Sequence, residues 1–424
     1  MVLMSISSIL QSFQRFGVHL GLERSKTLLN QLNNPHQHIP IIHVGGTNGK
    51  GSVCAYLSSI LTEAGYKVGR YTSPHLIDWT ERICINNQPI PKFRLETILI
   101  HIKNSINFNQ DTPTQFELIT AAAWLYFYQE KVDIAVIEVG LGGRLDATNV
   151  CDHPLATVIT SISREHWQHL GPTVKDIAGE KAGIFKSQCP VIMGQVPDEV
   201  KPVFQSRIAA LNCPHVWTQP GNDINNNRAV YQDIEYELPL LGEMQLNNSA
   251  LAIETIKILQ KQGWNITNEH IRQGIKNTQW LGRVQWIKWQ NHSLLIDGAH
   301  NPAAAKMLRH YVDSLGKSII WVMGMLSTKE HDKIFQALLK ENDSLYLVPV
   351  PDHSTANPHD LAELARQICP HLTHIKTQKT VFIALTEAVQ NQFPDQVIVI
   401  AGSLYLVGHF LANIQCDINQ GQKY

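Results

Sequence analysis

Residues 39–57 constrain the chain more than any other stretch: Ile39-Pro40-Ile41-Ile42-His43-Val44-Gly45-Gly46-Thr47-Asn48-Gly49-Lys50-Gly51-Ser52-Val53-Cys54-Ala55-Tyr56-Leu57. An apolar, β-branched run enters it and a Gly-rich turn follows. Apolar residues at Val53, Tyr56, Leu57, Ile60 and Leu61 then recur at helical spacing. Strand, loop and helix in this order make a phosphate-binding loop. Glycines let backbone N–H groups converge on an anion, and the helix N-terminus adds partial positive charge. Lys50 would reach the β- and γ-phosphates, and the Ser52 hydroxyl would meet a metal ion on them. The common pattern G-x-x-x-x-G-K-[ST] is not met, because Val44 stands five before Gly49 and Gly51 separates Lys50 from Ser52. The alternative is a Gly-rich turn on an ordinary α/β domain, which the clear strand and helix flanks disfavour.

At 424 residues the chain is long enough for two or three domains. Its net charge is −1 with no long run of one sign, so no duplex-binding surface is indicated. Seven cysteines are scattered without a C-x-x-C pair, which suits a reducing cytoplasm rather than a disulfide framework or zinc site. The N-terminus lacks a basic region before its apolar residues, and no run approaches the ~18 apolar residues of a membrane span. A cytoplasmic enzyme, bound neither to membrane nor to nucleic acid, is expected.

Helices are expected over 6–16 and about 22–32, broken at Phe16-Gly17-Val18-His19-Leu20-Gly21-Leu22. A short strand near Lys67 runs into Ser73-Pro74, and 92–107 reads as helix. Thr114 and Glu117 form a capping box before the helical run to Tyr128, so capping competes with a substrate role for Glu117. The apolar run from Val132 is a buried parallel strand with Glu138 near its end. A carboxylate there is costly unless it is paired or meets a cation, which makes Glu138 a candidate Mg²⁺ ligand. A strand over 156–163 runs into Glu165-His166, and His166 is a candidate ligand for the same region. Lys181, on the next helix, reads in isolation as a surface lysine. Short strands fill 212–238, a long helix opens at Gly242–Asn248, and a second α/β domain begins near Val284. In that domain Asp297 and His300 follow a strand, and the first turn lacks G-x-G-x-x-G.

The residues thus describe an α/β protein. A P-loop mononucleotide-binding domain with a mainly parallel sheet (1–284) precedes a smaller Rossmann-like α/β domain (285–424), with the site expected in the cleft between them.

The run G-T-N-G-K-G-S resembles the nucleotide loop of the Mur-ligase superfamily. Together with Ser73–Leu76, Glu138–Val150, Glu180–Ile184, Asp297–Pro302 and Gly402–Gly408, it resembles the folylpolyglutamate synthase / dihydrofolate synthase family, in the family's order and over essentially the whole chain. That resemblance implies an ATP-dependent amide ligase that adds L-glutamate to dihydropteroate and to the tail of reduced folates. It also implies a monomer that uses ATP with one or two Mg²⁺ ions.

The resemblance extends to single residues. Gly49, Lys50, Gly51 and Ser52 would hold the phosphates, and Asn248, Arg283 and Asp297 would contact ATP. Ser73, Glu138 and His166 match the Mg²⁺ ligands. Lys181 matches a lysine carried as a carbamate, an anion able to face Mg²⁺. His19, Leu20, Gly21 and Leu22, Thr114, Gln115, Phe116 and Glu117, and Leu145, Asp146 and Ala147 match pterin-substrate contacts. His300 and Ser403 fall on the glutamate and acyl-phosphate side. The chain departs from the family at Glu165, where Asp is frequent, at His19, where Asp is common, and at Met244, where His is usual.

The implied chemistry is γ-phosphoryl transfer to a carboxylate, then attack by the glutamate amine on the acyl phosphate, with closure of the small domain excluding water. Three rivals remain. A Mur-type ligase acting on a UDP-muramyl substrate would carry an extra substrate domain, yet only about 42 residues precede the loop, below the ~100 of a domain. A P-loop NTPase switch is disfavoured by the separate second domain. A binding protein without catalysis is disfavoured because every phosphate and metal position is filled.

Overall fold

The computed structural model describes residues 5–13, 20–107, 111–225 and 227–421. It divides into two units, Met1–Pro239 with Gln245–Gln279, and Leu240–Met244 with Trp280–Tyr424.

In the first unit eight strands form one sheet. They are β1 (Ile41–Gly45), β2 (Val68–Tyr71), β3 (Ile83–Ile85), β4 (Gln88–Pro89), β5 (Ile134–Glu138), β6 (Ala156–Ile159), β7 (Val191–Met193) and β8 (His215–Trp217). Their order is β4-β3-β2-β5-β1-β6-β7-β8. β3 pairs antiparallel with both β2 and β4, and all other neighbours pair parallel. β1 and β5 are buried at all five positions, as expected of parallel strands covered on both faces. On one face Ile41, Tyr71, Ala135 and Ile137 join a core with the helices Glu23–Gln31, Lys92–Ser105 and Gln115–Gln129. On the other lies the helix Lys50–Glu63, itself covered by the helix Asn268–Lys276. There Gly274 is required, since a Cβ would come within 2.3 Å of the Ile60 Cα.

Beside this sheet β9 (Asn222–Asn225), β10 (Arg228–Tyr231) and β11 (Ile234–Glu237) form an antiparallel ribbon. The second unit carries β12 (Gln285–Trp289), β13 (His292–Ile296), β14 (Ser318–Met323), β15 (Ser344–Leu347), β16 (His374–Thr377) and β17 (Gln396–Ala401). They are ordered β12-β13-β17-β14-β15-β16, and all are parallel except β12.

Three sequence expectations change. The strand expected over 156–163 ends at Ile159, because residues 160–163 bond to the phosphate loop instead of a neighbouring strand. The first helix spans Ile6–Gln11 and gives way to a turn at Ser12 and Phe13, while residues 14–19, with Phe16 and His19, lie outside the described residues. β3 is only three residues long, and β12 and β16 lack an unbroken apolar run, so these strands are not evident in the sequence.

Candidate active site

β1 delivers the chain to the carboxyl edge of the sheet between β5 and β6, where the order of connections reverses and ligands gather in open α/β sheets. The loop after β1 is held by the two residues that follow β6. Thr160 Oγ1 donates to the Asn48 carbonyl at 2.6 Å and Ser161 Oγ donates to it at 3.0 Å. The Asn48 amide donates to Ser161 Oγ at 3.1 Å, and the Thr47 amide to the Ser161 carbonyl at 2.8 Å. Gly46 has φ +135°, and a Cβ there would lie 2.1 Å from Thr160 Oγ1. Gly49, at φ +88°, precedes the helix Lys50–Glu63 without a side-chain cap. The amides of that helix's first turn are therefore directed at the loop's concavity, the arrangement that receives a phosphate.

Lys50 Nζ donates to the carbonyls of Gly46 at 3.1 Å and Thr47 at 2.9 Å. Lys181 Nζ donates to the same Gly46 carbonyl at 2.7 Å and to Glu165 Oε1 at 2.8 Å. Two lysine ammonium groups thus meet on one carbonyl of the loop, with Glu165 as counter-charge. The reading of Lys181 as a surface lysine is overturned, since its side chain is 2% exposed. The helix Val174–Ala182 turns this face inward against the loop after β1, a packing that sequence spacing does not encode. Burial lowers the Lys181 ammonium from its ordinary range, outweighing the pull of Glu165. Burial pushes the Glu165 carboxyl up, but Lys181, Lys50 and His166 together hold it at about 2.

Ser52 is buried in the first turn of the loop helix. Asn248 stands against Gly49, where an added Cβ would meet its Oδ1 at 2.4 Å. Its Nδ2 donates to Gln245 Oε1 at 3.0 Å, which fixes the amide's orientation.

Glu138 closes β5 and is buried, and one of its oxygens accepts the Ser73 amide at 3.0 Å. Ser73 and Glu138 are thereby neighbours. His166, exposed and in the left-handed region, follows β6 on the other side of β1. Among the described residues no three His, Cys, Asp or Glu form a ready-made cage. Mg²⁺ in phosphate chemistry takes one or two carboxylates and completes its shell with phosphate oxygens and water. A single buried carboxylate at a strand end beside a phosphate loop fits that requirement.

The expected substrate contacts come together in part. The Gly21 amide donates to the Leu145 carbonyl at 3.4 Å, so the block at 20–22 and the block at 145–147 meet. The Phe116 ring lies over Gly140, where a Cβ would come to 2.2 Å of it. Glu117 caps its helix through the Thr114 amide at 2.6 Å and receives Arg24 Nε at 3.0 Å and 3.1 Å. Asp146 accepts the amides of Leu141 at 2.8 Å and Thr148 at 3.0 Å, and burial raises its carboxyl from the ordinary range. Glu117 and Asp146 are therefore engaged by internal bonds. Gln115 opens the capped helix, Leu20 and Leu22 flank Gly21, and Ala147 is buried.

In the second unit, Asp297 follows β13 and accepts the amides of Val284 at 2.8 Å and Ala299 at 2.7 Å. Burial pushes its carboxyl up, against the charge of Arg283 and these two amides. His300 Nδ1 bonds the Gly298 carbonyl at 2.8 Å, which makes it the protonated nitrogen and places the lone pair of the neutral ring on Nε2. Ser403 is buried just after β17. Sequence reading missed the clamp Thr160–Ser161 and the pairing of Glu165 with Lys181. The one available signal was polar residues directly after a buried apolar run.

Two family models match the chain, the Mur ligase middle domain over residues 44–256 and the dihydrofolate synthetase C-terminal domain over 281–413. The chain is 35% identical over 418 residues to the folylpolyglutamate synthase of Lacticaseibacillus casei, covering 94% of this chain and 95% of that one. It is 32% identical over 420 residues to the dihydrofolate synthase/folylpolyglutamate synthase of Escherichia coli, covering 98% and 96%. Among solved structures it resembles Escherichia coli FolC in complex with DHPP and ADP, at TM-score 0.83 and 30% identity over 97% of each chain. It also resembles the Mycobacterium tuberculosis folylpolyglutamate synthase complexed with ADP and AMPPCP, at TM-score 0.85 and 27% identity over 96% and 97%.

Proposed function

Because the chain belongs to the folylpolyglutamate synthase / dihydrofolate synthase family of the Mur-ligase superfamily, we propose that it joins L-glutamate both to dihydropteroate and to the tail of reduced folates. It is an ATP-dependent carbon–nitrogen ligase. The observation that carries the reading is the phosphate loop with two lysines on the Gly46 carbonyl.

A carboxylate does not acylate an amine in water. Transfer of the γ-phosphoryl group to it gives an acyl phosphate, with ADP leaving. The amine of glutamate then attacks the acyl carbon, phosphate departs and a proton is released. The first-turn amides of Gly49–Ser52 hold the triphosphate, and Lys50 offsets the repulsion between it and the substrate carboxylate. Asn248, Arg283 and Asp297 contact the rest of ATP. Glu138, Ser73 and His166 would hold Mg²⁺, which supplies charge neutralisation on the phosphate oxygens. Lys181 is the lysine on which we infer a carbamate, since burial favours the neutral amine that adds CO₂ with loss of a proton. His300, through Nε2, would accept a proton from the attacking amine, with Ser403 also on the glutamate and acyl-phosphate side. The pterin acid is received by His19–Leu22, Thr114–Glu117 and Leu145–Ala147, supported by the contact of Gly21 with Leu145.

Residues 1–284 act as the ATP-binding domain and 285–424 as the glutamate-binding domain, in a cytoplasmic monomer. No helix of the described residues is long and apolar enough to cross a membrane.

The test is ADP release with ATP, Mg²⁺ and L-glutamate, run separately with dihydropteroate and with tetrahydrofolate. Turnover with both establishes the two activities. Turnover with tetrahydrofolate alone restricts the enzyme to tail lengthening. Turnover with neither, but with a UDP-muramyl acceptor, overturns the folate reading.

A further inference from the structure

The carboxyl edge of the second unit's sheet carries an arrangement that none of these roles uses. The loops after β14 and β15 are zipped together. The Ser327 amide donates to the Ser354 carbonyl at 2.9 Å, their hydroxyls meet at 2.8 Å, and the Ala356 amide donates to the Met325 carbonyl at 2.8 Å. The Val350 amide donates to Thr355 Oγ1 at 2.9 Å. Two glycines let the neighbouring loops close on them. A Cβ at Gly324 would come within 2.8 Å of the Val348 carbonyl oxygen, and one at Gly402 within 2.8 Å of the Gly324 carbonyl oxygen.

The zipped loops carry His353 across the end of β14 to Tyr405, in the first turn of the helix after β17. The two rings stack with centroids 3.7 Å apart and planes at 26°. Tyr405 is anchored in turn, its amide donating to the Oγ of buried Ser403 at 3.2 Å. In sheet order, His300 follows β13, Tyr405 follows β17 and His353 follows β15, along the edge where parallel sheets receive ligands.

His353 is exposed, so its position is not explained by core packing. A ring held flat on a platform by three interlocked loops presents N–H groups in a fixed direction at small entropic cost. The incoming amine of the ligase reaction is a dicarboxylic amino acid, whose carboxylates need donors. Residues 298–301, 324–331, 348–357 and 402–405 contain no arginine and one lysine, Lys329, which has an interaction of its own. Of the histidines there, His331 Nε2 is engaged by the Leu326 carbonyl at 2.8 Å and His300 Nδ1 by Gly298. The geometry points to His353, held by Tyr405, as a specificity-determining residue that receives a carboxylate of the incoming acidic amino acid. This rests on the ligase reading.

The experiment is steady-state kinetics of the full chain and its H353A, H353Q and Y405L variants, with each of the three substrates varied in turn. H353A raises the KM for L-glutamate about tenfold or more, while the KM values for ATP and the pterin acceptor move less than about twofold. The preference for L-glutamate over L-aspartate falls with it. H353Q, which keeps an N–H donor, recovers part of the loss, and Y405L reproduces the H353A pattern in weaker form. An unchanged glutamate KM in H353A and H353Q overturns the assignment, as does an equal rise in all three KM values, which would mark a merely structural role. Absence of glutamate-dependent ADP release from the unaltered chain would instead strike the ligase reading, before any variant is compared.

Discussion

At the scale of single residues, the phosphate loop depends on two glycines for different reasons. Gly46 leaves room for Thr160, whereas Gly49 combines φ +88° with close approach to Asn248. Asn248 cannot simply move away, because Gln245 holds its amide. Gly49→Ala therefore strains the turn by about 1–3 kcal/mol and pushes the Asn248 amide out of place. The expected outcome is at least about a tenfold rise in the KM for ATP, with a small drop in thermal midpoint. Nucleotide titration and ADP release check this, and an unchanged ATP KM would mean the loop tolerates a side chain there. The pairing of Lys181 with Glu165 shows what a residue list cannot. A lysine that reads as surface sits at the floor of the loop because its helix presents that face inward.

At the scale of elements, the helix Gln115–Gln129 illustrates one carboxylate serving two neighbours. Glu117 closes the capping box with Thr114 and binds Arg24 of the helix Glu23–Gln31. The cap was legible as Thr-x-x-Glu, but the ion pair spans 93 positions and was not. Glu117→Ala removes the reciprocal half of the capping box and takes the Glu117 carboxylate from the Arg24 guanidinium, which also pairs with Asp111 at 3.2 Å. The expected loss is about 2–4 kcal/mol of stability. Denaturant unfolding measures it, and a loss below about 1 kcal/mol would leave Glu117 with little structural role. The shortened β6 follows the same logic. Thr160 and Ser161 read as strand because they continue an apolar run, yet their hydroxyls and backbone are engaged by the loop after β1.

For the whole molecule, the clearest solution consequence is acid sensitivity. His43 lies within β1, fully buried, with Nε2 bonded to Thr148 Oγ1 at 2.9 Å. Burial, aided by the charge of Lys186, pushes the imidazole down to about 3. The unfolded chain takes up this proton near pH 6.5, and the folded one only near pH 3. Stability attributable to His43 is therefore fully present above about pH 6.5 and is lost as pH falls toward 3, at about 1.4 kcal/mol per unit. Burial lowers His36 in the same direction. Unfolding free energies measured from pH 7 to 4 should fall with this slope, and His43→Gln should flatten it. An equal slope in both proteins would assign the acid loss to other groups.

What the sequence by itself determined is local. The strand–loop–helix at 41–63, the apolar strands β5, β14 and β17, the cap at Thr114 and the order of the motif blocks are written in short runs whose spacing and residue types have few alternatives. Glu138 could be picked out because a carboxylate is costly at the end of a buried strand. Only the tertiary structure decided which distant groups share a neighbour. It set Lys181 and Lys50 on one carbonyl, Asn248 against Gly49, the end of β6 under the phosphate loop, and His353 on Tyr405. Those contacts depend on strand order and on which helix face turns inward. Both are chosen by the burial of the whole core, a sum over the chain that no single stretch of sequence contains.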